Sequence, residues 1–377
     1  MRRLRRVSIS AFACLGIMLA GCSLENGINI DKSNNQLPET QEIMLLESLD
    51  ATNLHYIEPY DENTVYIVAS KKSEEIPGRE MVYAVCSLDT GETNVLYREI
   101  ISKDGAESVD IYASSDNEIK LFTGQQLLTL NGQDVVDIQN IIDDEQGVSM
   151  NLEKGAMAYI SQLPPSVFYK SVNDNNEIEI AKSEELEIDG ETVTLYPYIV
   201  RLKESGDKLL YGTAIETAGL YQTICICSTD GTLLAETEQL DINSDYLDIL
   251  WCGDDFITIE TTDSYTLSPT GFATILTRYN EKAEKIDRII LHGFAENYQR
   301  EIFSGSSLFA LTYRTDSSNG LILWDTSTGD VYYICDEDEY ILSPTVTPSG
   351  SKLLWFHNGS LCVKAINLDD YEKVPTY

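Results

Sequence analysis

Histidine is scarce in this 377-residue chain. The three present, His55, His292 and His357, lie far apart, and none stands in a metal-ligand spacing such as HExxH. A Walker glycine-lysine loop, a dinucleotide fingerprint and a CxxC pair are all absent from the sequence, so nucleotide, redox and zinc-finger functions lose their support together. GSSLF at 305–309 lacks the second glycine of a nucleophile elbow. No catalytic residue is assigned, and no cofactor is called for. Basic charge is thin as well: 26 Lys and Arg face 62 Asp and Glu, a formal charge of −36. Such a chain repels phosphate backbones and anionic headgroups, which argues against nucleic-acid binding.

Long apolar runs are missing after the first twenty residues. At the amino terminus, Arg2, Arg3, Arg5 and Arg6 form a basic head, and Val7 to Ala20 carries no ionisable side chain except the Cys14 thiol. That is the layout of a secretory signal, too short to span a bilayer comfortably. The segment that follows, Leu19, Ala20, Gly21 and Cys22, resembles the bacterial lipobox. The resemblance implies cleavage before Cys22, diacylation of its sulfur and palmitate at the new terminus. Two acyl chains hold a soluble domain at a bilayer where one would bind marginally. The expected organisation is a signal at 1–21, a lipid-anchored tether at 22–42 and a folded body at 43–377. The expected address is the outer face of the bacterial cytoplasmic membrane, or the outer membrane in a Gram-negative cell.

Export permits disulfides, and Cys86, Cys225, Cys227, Cys252, Cys335 and Cys362 remain after the anchor. Cys225 and Cys227 fall on one face of a strand, beyond normal bridging reach. Cys86 and Cys227 share a setting, CSLDTG and CSTDGT, just before a turn. The expectation is buried thiols in repeated strands rather than a disulfide framework.

What the chain has in abundance is short alternating apolar segments punctuated by Asp, Asn and Gly. Hairpins are expected at 82–99, 127–138, 168–182, 222–238, 273–289, 320–334 and 361–374. Further strand pairs fall between them at 53–70, 196–213, 245–261 and 340–359. Two hairpins per period of roughly 40–50 residues give four strands, the content of a propeller blade. A lone blade cannot bury both faces of its sheet; a ring of them can. The prediction is an all-β propeller of seven four-stranded blades, with 43–49 as the outer strand of the last blade. AKSEELEIDGETVTL at 181–195 reads either as an extra hairpin or as a misregistered blade, and leaves six or eight blades open. Stacked β-sandwiches are the alternative fold. Helix is expected at most over 138–154.

The D-G and S-G turns before KLLYG and KLLWF, together with WDTSTGD at 324–330, resemble bacterial extracellular propellers of the WD40-like and TolB-like kinds over most of 50–377. Trp324 lies inside a strand and has no matching G-H partner, a departure from the WD40 pattern. The resemblance implies protein or glycan binding, and in some relatives a cap on a hydrolase, without assigning any residue.

Acidic pairs occur at 143–144, 254–255 and 369–370, with DEDE at 336–339, but 62 acids make such pairs common by chance. Structural calcium has one candidate, NDNNEIE at 173–179, which an Asx turn explains without an ion. The 22 tyrosines suit a peptide or sugar groove and suit strands equally. The leading expectation is a lipid-tethered binding or protein-interaction module, non-catalytic, with a protein, glycan or peptide partner. An extracellular propeller hydrolase or lyase and an envelope scaffold are the alternatives.

Overall fold

The computed structural model describes residues 40–374 apart from 75–76, 103–109, 114–118, 123–125, 132–133, 141–145, 152–153, 172–176, 189, 216–219, 239, 241–245, 264–270, 315–318 and 338–340. Seven separate antiparallel sheets follow one another along the chain, which excludes the sandwich. Blade 1 is Asn53–Pro59, Thr64–Lys72, Gly78–Ser87 and Thr93–Ser102; blade 2 runs from Asp110–Ala113 to Asp134–Asn140, and blade 3 from Gln146–Asn151 to Glu177–Lys182. Blade 4 spans Glu184–Ile188 to Leu233–Glu236, and blade 5 Tyr246–Cys252 to Lys285–Leu291. Blade 6 opens with Phe294–Tyr298 and blade 7 with Ile341–Val346.

Each second strand is buried on both faces and so reads as a continuous apolar run. Val65 to Ser70 in blade 1 and Leu353 to Phe356 in blade 7 are all buried. The K-L-L motifs mark these strands, at Lys208–Ile215 and Lys352–His357. Neighbouring blades share apolar cores around the whole ring. Phe309 and Trp324 of blade 6 pack with Leu250 and Ile257 of blade 5, and Tyr83 of blade 1 clusters with Leu128 of blade 2. Leu354 and Phe356 of blade 7 meet Ile67 and Val82 of blade 1 across the closure.

Three details differ from the sequence reading. Closure is made by Gln41–Met44, paired with Ser360–Ala365, not by 43–49. Leu45 and Leu49 instead sit in a turn and plug the core between blades 7 and 1, which accounts for their apolar character. The segment 361–374 is not a hairpin. After Ser360–Ala365 a single 3-10 turn, Leu368–Asp370, carries the chain back to blade 6, where Glu372–Val374 becomes a fifth, outermost strand. The 181–195 segment, by contrast, takes the first of its two expected readings: it is an extra hairpin, Glu184–Ile188 against the start of Glu191–Leu202, and makes blade 4 five-stranded. Over 138–154 the described residues are strands, Asp134–Asn140 and Gln146–Asn151.

Alternating strand direction gives the ring two distinct ends. One, the turn end, carries the connections from first to second and from third to fourth strand of each blade. The opposite, loop end carries the second-to-third connections and the crossovers between blades.

Candidate functional site

The first strand of each blade lines the central channel, apart from blade 4, where Glu191–Leu202 takes that place. On this wall Asp248 of blade 5 is buried and fully engaged. It accepts from Arg201 Nη2 of blade 4 at 2.7 Å, from the Tyr298 hydroxyl of blade 6 at 2.8 Å and from the Ile249 amide at 2.8 Å. Three consecutive blades are thereby tied through one carboxylate, both of whose oxygens accept hydrogen bonds, a structural use of its charge.

Links of this kind continue around the turn end. Asn151 Nδ2 donates to the Glu204 carbonyl at 2.5 Å, joining blades 3 and 4, and Lys203 pairs with Asp254 at 2.5 Å, joining blades 4 and 5. Arg278 holds Asp255 at 2.5 Å and donates to the Thr326 carbonyl of blade 6. Across the closure, Glu62 accepts from the Ser349 amide at 2.6 Å and the Ser351 hydroxyl at 2.5 Å, while Lys352 Nζ reaches Asn63 Oδ1 at 2.7 Å. Burial would raise the Glu62 carboxyl, but the donors from Ser351 and Ser349 outweigh it and hold the group at about 2.

The connection between Tyr298 and Leu308 in blade 6 is longer than its counterparts and enters the channel. Arg300 lies 4.2 Å from the ring centroid of Tyr56, on the first strand of blade 1, so the segment reaches past blade 7. Ile302 makes a parallel bridge to Cys252 of blade 5. Between these anchors Glu301 keeps contact with water while protein surrounds it on most sides. That enclosure, with the Glu204 carboxylate a smaller contributor, pushes its carboxyl up to about 7. Sequence reasoning did not select Glu301 or Glu204. The available signal was the unusual gap between two recognisable strands.

Large apolar side chains are exposed at both ends, Tyr60, Leu233 and Leu234 at the turn end and a second set at the loop end. Phe272 and Phe294 are 45% and 41% exposed, and Leu163 is 93% exposed. The acidic hairpin of blade 4 stands on this end too. A shallow depression on blade 1, lined by Thr64, Val85, Ser87, Glu92, Thr93 and Asn94, lies instead where its strands reach the turn end. It gathers no catalytic set.

The sequence candidates are placed as follows. His55 shares a 2.7 Å hydrogen bond with Ser70 in blade 1; His292 lies at the bend between blades 5 and 6; His357 ends the second strand of blade 7. Among the described residues no three His, Cys, Asp or Glu side chains group as a metal site. Asp254 and Asp255 are engaged by Lys203 and Arg278, and Asp369 and Asp370 lie exposed in the 3-10 turn. Cys22, the 143–144 pair, most of NDNNEIE and the last two acids of DEDE lie outside the described residues. The six body cysteines are all unbridged, and burial raises the thiols of Cys86, Cys225 and Cys227 to about 11, 12 and 11, far from a reactive thiolate. Many tyrosines prove to be core: Tyr83 is fully buried and stacks on Tyr97 at 6.1 Å. No helix among the described residues is long and apolar enough to cross a membrane.

The geometry defines a seven-bladed β-propeller, with blades 4 and 6 enlarged to five strands. No family model matches the chain, and no curated protein matches it either. Among solved structures 689 chains match, so the fold is widely shared and selects no function by itself. One of them, from "Crystal Structure of Mitotic Checkpoint Complex", aligns over 93% of this chain and 99% of its own at 12% identity with a TM-score of 0.52. A likeness at that identity establishes the fold alone.

Proposed function

We propose that the chain is a non-catalytic binding module, held by lipid on Cys22 at the outer face of a bacterial membrane, that engages a protein, peptide or glycan partner with the loop end of its ring. The observation that carries this reading is the contrast between the two ends. Many polar groups at the turn end are consumed by bonds between blades, and although Tyr60, Leu233 and Leu234 are exposed there, the loop end combines the exposed rings of Phe272 and Phe294 with a projecting acidic hairpin on a rigid base. The matching checkpoint chain comes from a protein complex, which agrees with a propeller working among partners. Two measurements test the proposal. Cys22→Ala should abolish palmitate labelling and leave an unprocessed precursor; continued labelling removes the anchor. Melting of the chain against glycans and cell-wall peptides should rise by mass action for a true ligand, by about 2.7 kcal/mol at a hundredfold excess over Kd. Loss of that shift in Phe272→Ser and its retention in turn-end variants locates the partner.

A hydrolase or lyase acting on an extracellular glycan or peptide is favoured by one observation, the carboxyl of Glu301 held near 7 beside Glu204. That reading requires turnover that Glu301→Gln abolishes. Turnover unchanged by the substitution ends it.

A further inference from the structure

Building on the binding reading above, we propose that the strand Glu184–Ile188 is a docking edge that accepts an extended, basic segment of a protein partner as an added strand of blade 4. This strand ends its sheet and is paired on one side only, with Glu184 opposite Leu195 and Ile188 opposite Glu191. No other described strand pairs with its far side, so a row of backbone donors and acceptors is left for a new strand.

The edge is firmly presented. Immediately before it, the Ser183 amide and hydroxyl both donate to the Pro165 carbonyl of blade 3, at 3.0 and 2.7 Å. Its partner Glu191–Leu202 packs on the strands Ala156–Gln162 and Pro165–Ser171. A guest strand therefore meets an ordered template and bears little of the cost of ordering it.

Charge selects the guest. Glu184, Glu185, Glu187 and Glu191 are all exposed, and no Lys or Arg occurs from Ser183 to Val200. A second copy pairing along this edge would set Glu against Glu, which is destabilising, and two chains of charge −36 repel at longer range. A segment with alternating cations gains opposite-charge partners at Glu185 and Glu187, which share one face of the edge strand, while its main chain supplies the ladder. The molecule contains its own small example of strand addition. Glu372–Val374 adds to the outer edge of blade 6, and there Lys373 lies 2.6 Å from Asp330.

The test uses the purified full chain and a labelled heptapeptide of alternating lysine and valine, read by fluorescence anisotropy in about 0.15 M salt. A second peptide of the same sequence carries N-methyl groups on alternate amides, which keeps the charge and removes ladder donors. The expected result is saturable binding that weakens by roughly tenfold or more with the methylated peptide, and equally in Glu185→Lys/Glu187→Lys, whose melting temperature stays unchanged. Absence of binding overturns the proposal. So does equal binding of the methylated peptide, which marks diffuse electrostatics, or indifference to the double substitution. If a partner is lost in Phe272→Ser but kept in Glu185→Lys/Glu187→Lys, the loop-end function stands and this edge alone falls.

Discussion

The turn end and the loop end of the ring are built from the same strands, yet they solve opposite problems. At the turn end the connections, apart from the long one between Tyr298 and Leu308, are short and coded locally. Asp61 accepts from the Asn63 amide at 2.8 Å, Asp230 from Thr232 at 2.9 Å and Asp325 from Ser327 at 2.9 Å, each closing its own turn. Neighbouring turns are then stitched by Lys203, Arg278 and Glu62. At the loop end fewer such stitches occur among the described residues, although rings face water at both ends, Phe272 and Phe294 here and Tyr60 at the turn end. Rigidity at one end lets the other be free to vary, which is how a scaffold carries a binding surface.

The sharpest way to break this contrast is to weaken the foundation of the turn end. Trp324 is fully buried just before the turn at Asp325 and packs edge-on against Phe309 at 6.5 Å between ring centroids. Trp324→Ala should destabilise the ring by about 3–5 kcal/mol through the cavity it opens. Chemical denaturation reads the change. Trp324→Phe should cost much less, because the indole Nε1 has no hydrogen-bond partner to lose. Similar costs for both would assign the residue a polar role that the structure does not show.

A paired glycine substitution compares the two ends directly. Gly350, in a blade 7 turn, has φ +72°, and a Cβ there would fall 2.5 Å from Ser306 Oγ and 3.2 Å from its Cβ. Gly190, at the tip of the blade 4 hairpin, has φ +86° and open space around it. Gly190→Ala carries only the left-handed penalty of about 1–2 kcal/mol. Gly350→Ala should add roughly 1–3 kcal/mol of overpacking. Equal melting temperatures for the two variants would show that the turn end yields as readily as the loop end.

The difference between the ends also explains what could be read from sequence. D-G and S-G turns and K-L-L strands are local codes, so blade number and most hairpins were legible without coordinates. The 361–374 segment misled because LCVKAINLDDYEKV has the same local grammar as a hairpin, while its last strand is claimed by the edge of blade 6. Local pattern fixes that a strand forms, not which sheet recruits it. Glu301 was illegible for a related reason: its neighbour Glu204 comes from two blades earlier, and only ring closure brings the carboxylates into range. The Arg201, Asp248 and Tyr298 junction is hidden in the same way.

A smaller effect tests whether the stitches matter individually. Glu62→Gln should cost about 1 kcal/mol at neutral pH, the scale of a charge-assisted bond at a partly exposed site. Its folded pKa is depressed, so the wild-type advantage is present above the ordinary value of 4.5 and is lost as pH falls from there towards 2. Melting curves of the two proteins should therefore converge over that window. A constant gap would mean that Glu62 acts through packing instead of charge.

The comparison most informative about function lies in two rings of the loop end. Phe272 starts the third strand of blade 5 and Phe294 the first strand of blade 6, and each leaves over two-fifths of its surface in water. More than half of each ring is nevertheless buried, so replacing either with serine should cost about 1–3 kcal/mol of stability. These rings belong to the end whose polar groups are not consumed by the scaffold, and exposed aromatics placed on a rigid base are what an interface anchors on. Phe272→Ser and Phe294→Ser should therefore lower the melting temperature modestly, leave the chain folded at the assay temperature, and weaken partner binding by tenfold or more, a loss of about 1.4 kcal/mol. If binding survives both and fails instead in Lys203→Ala or Arg278→Ala, the stitched end is the interface, and the division of labour between the two ends is reversed.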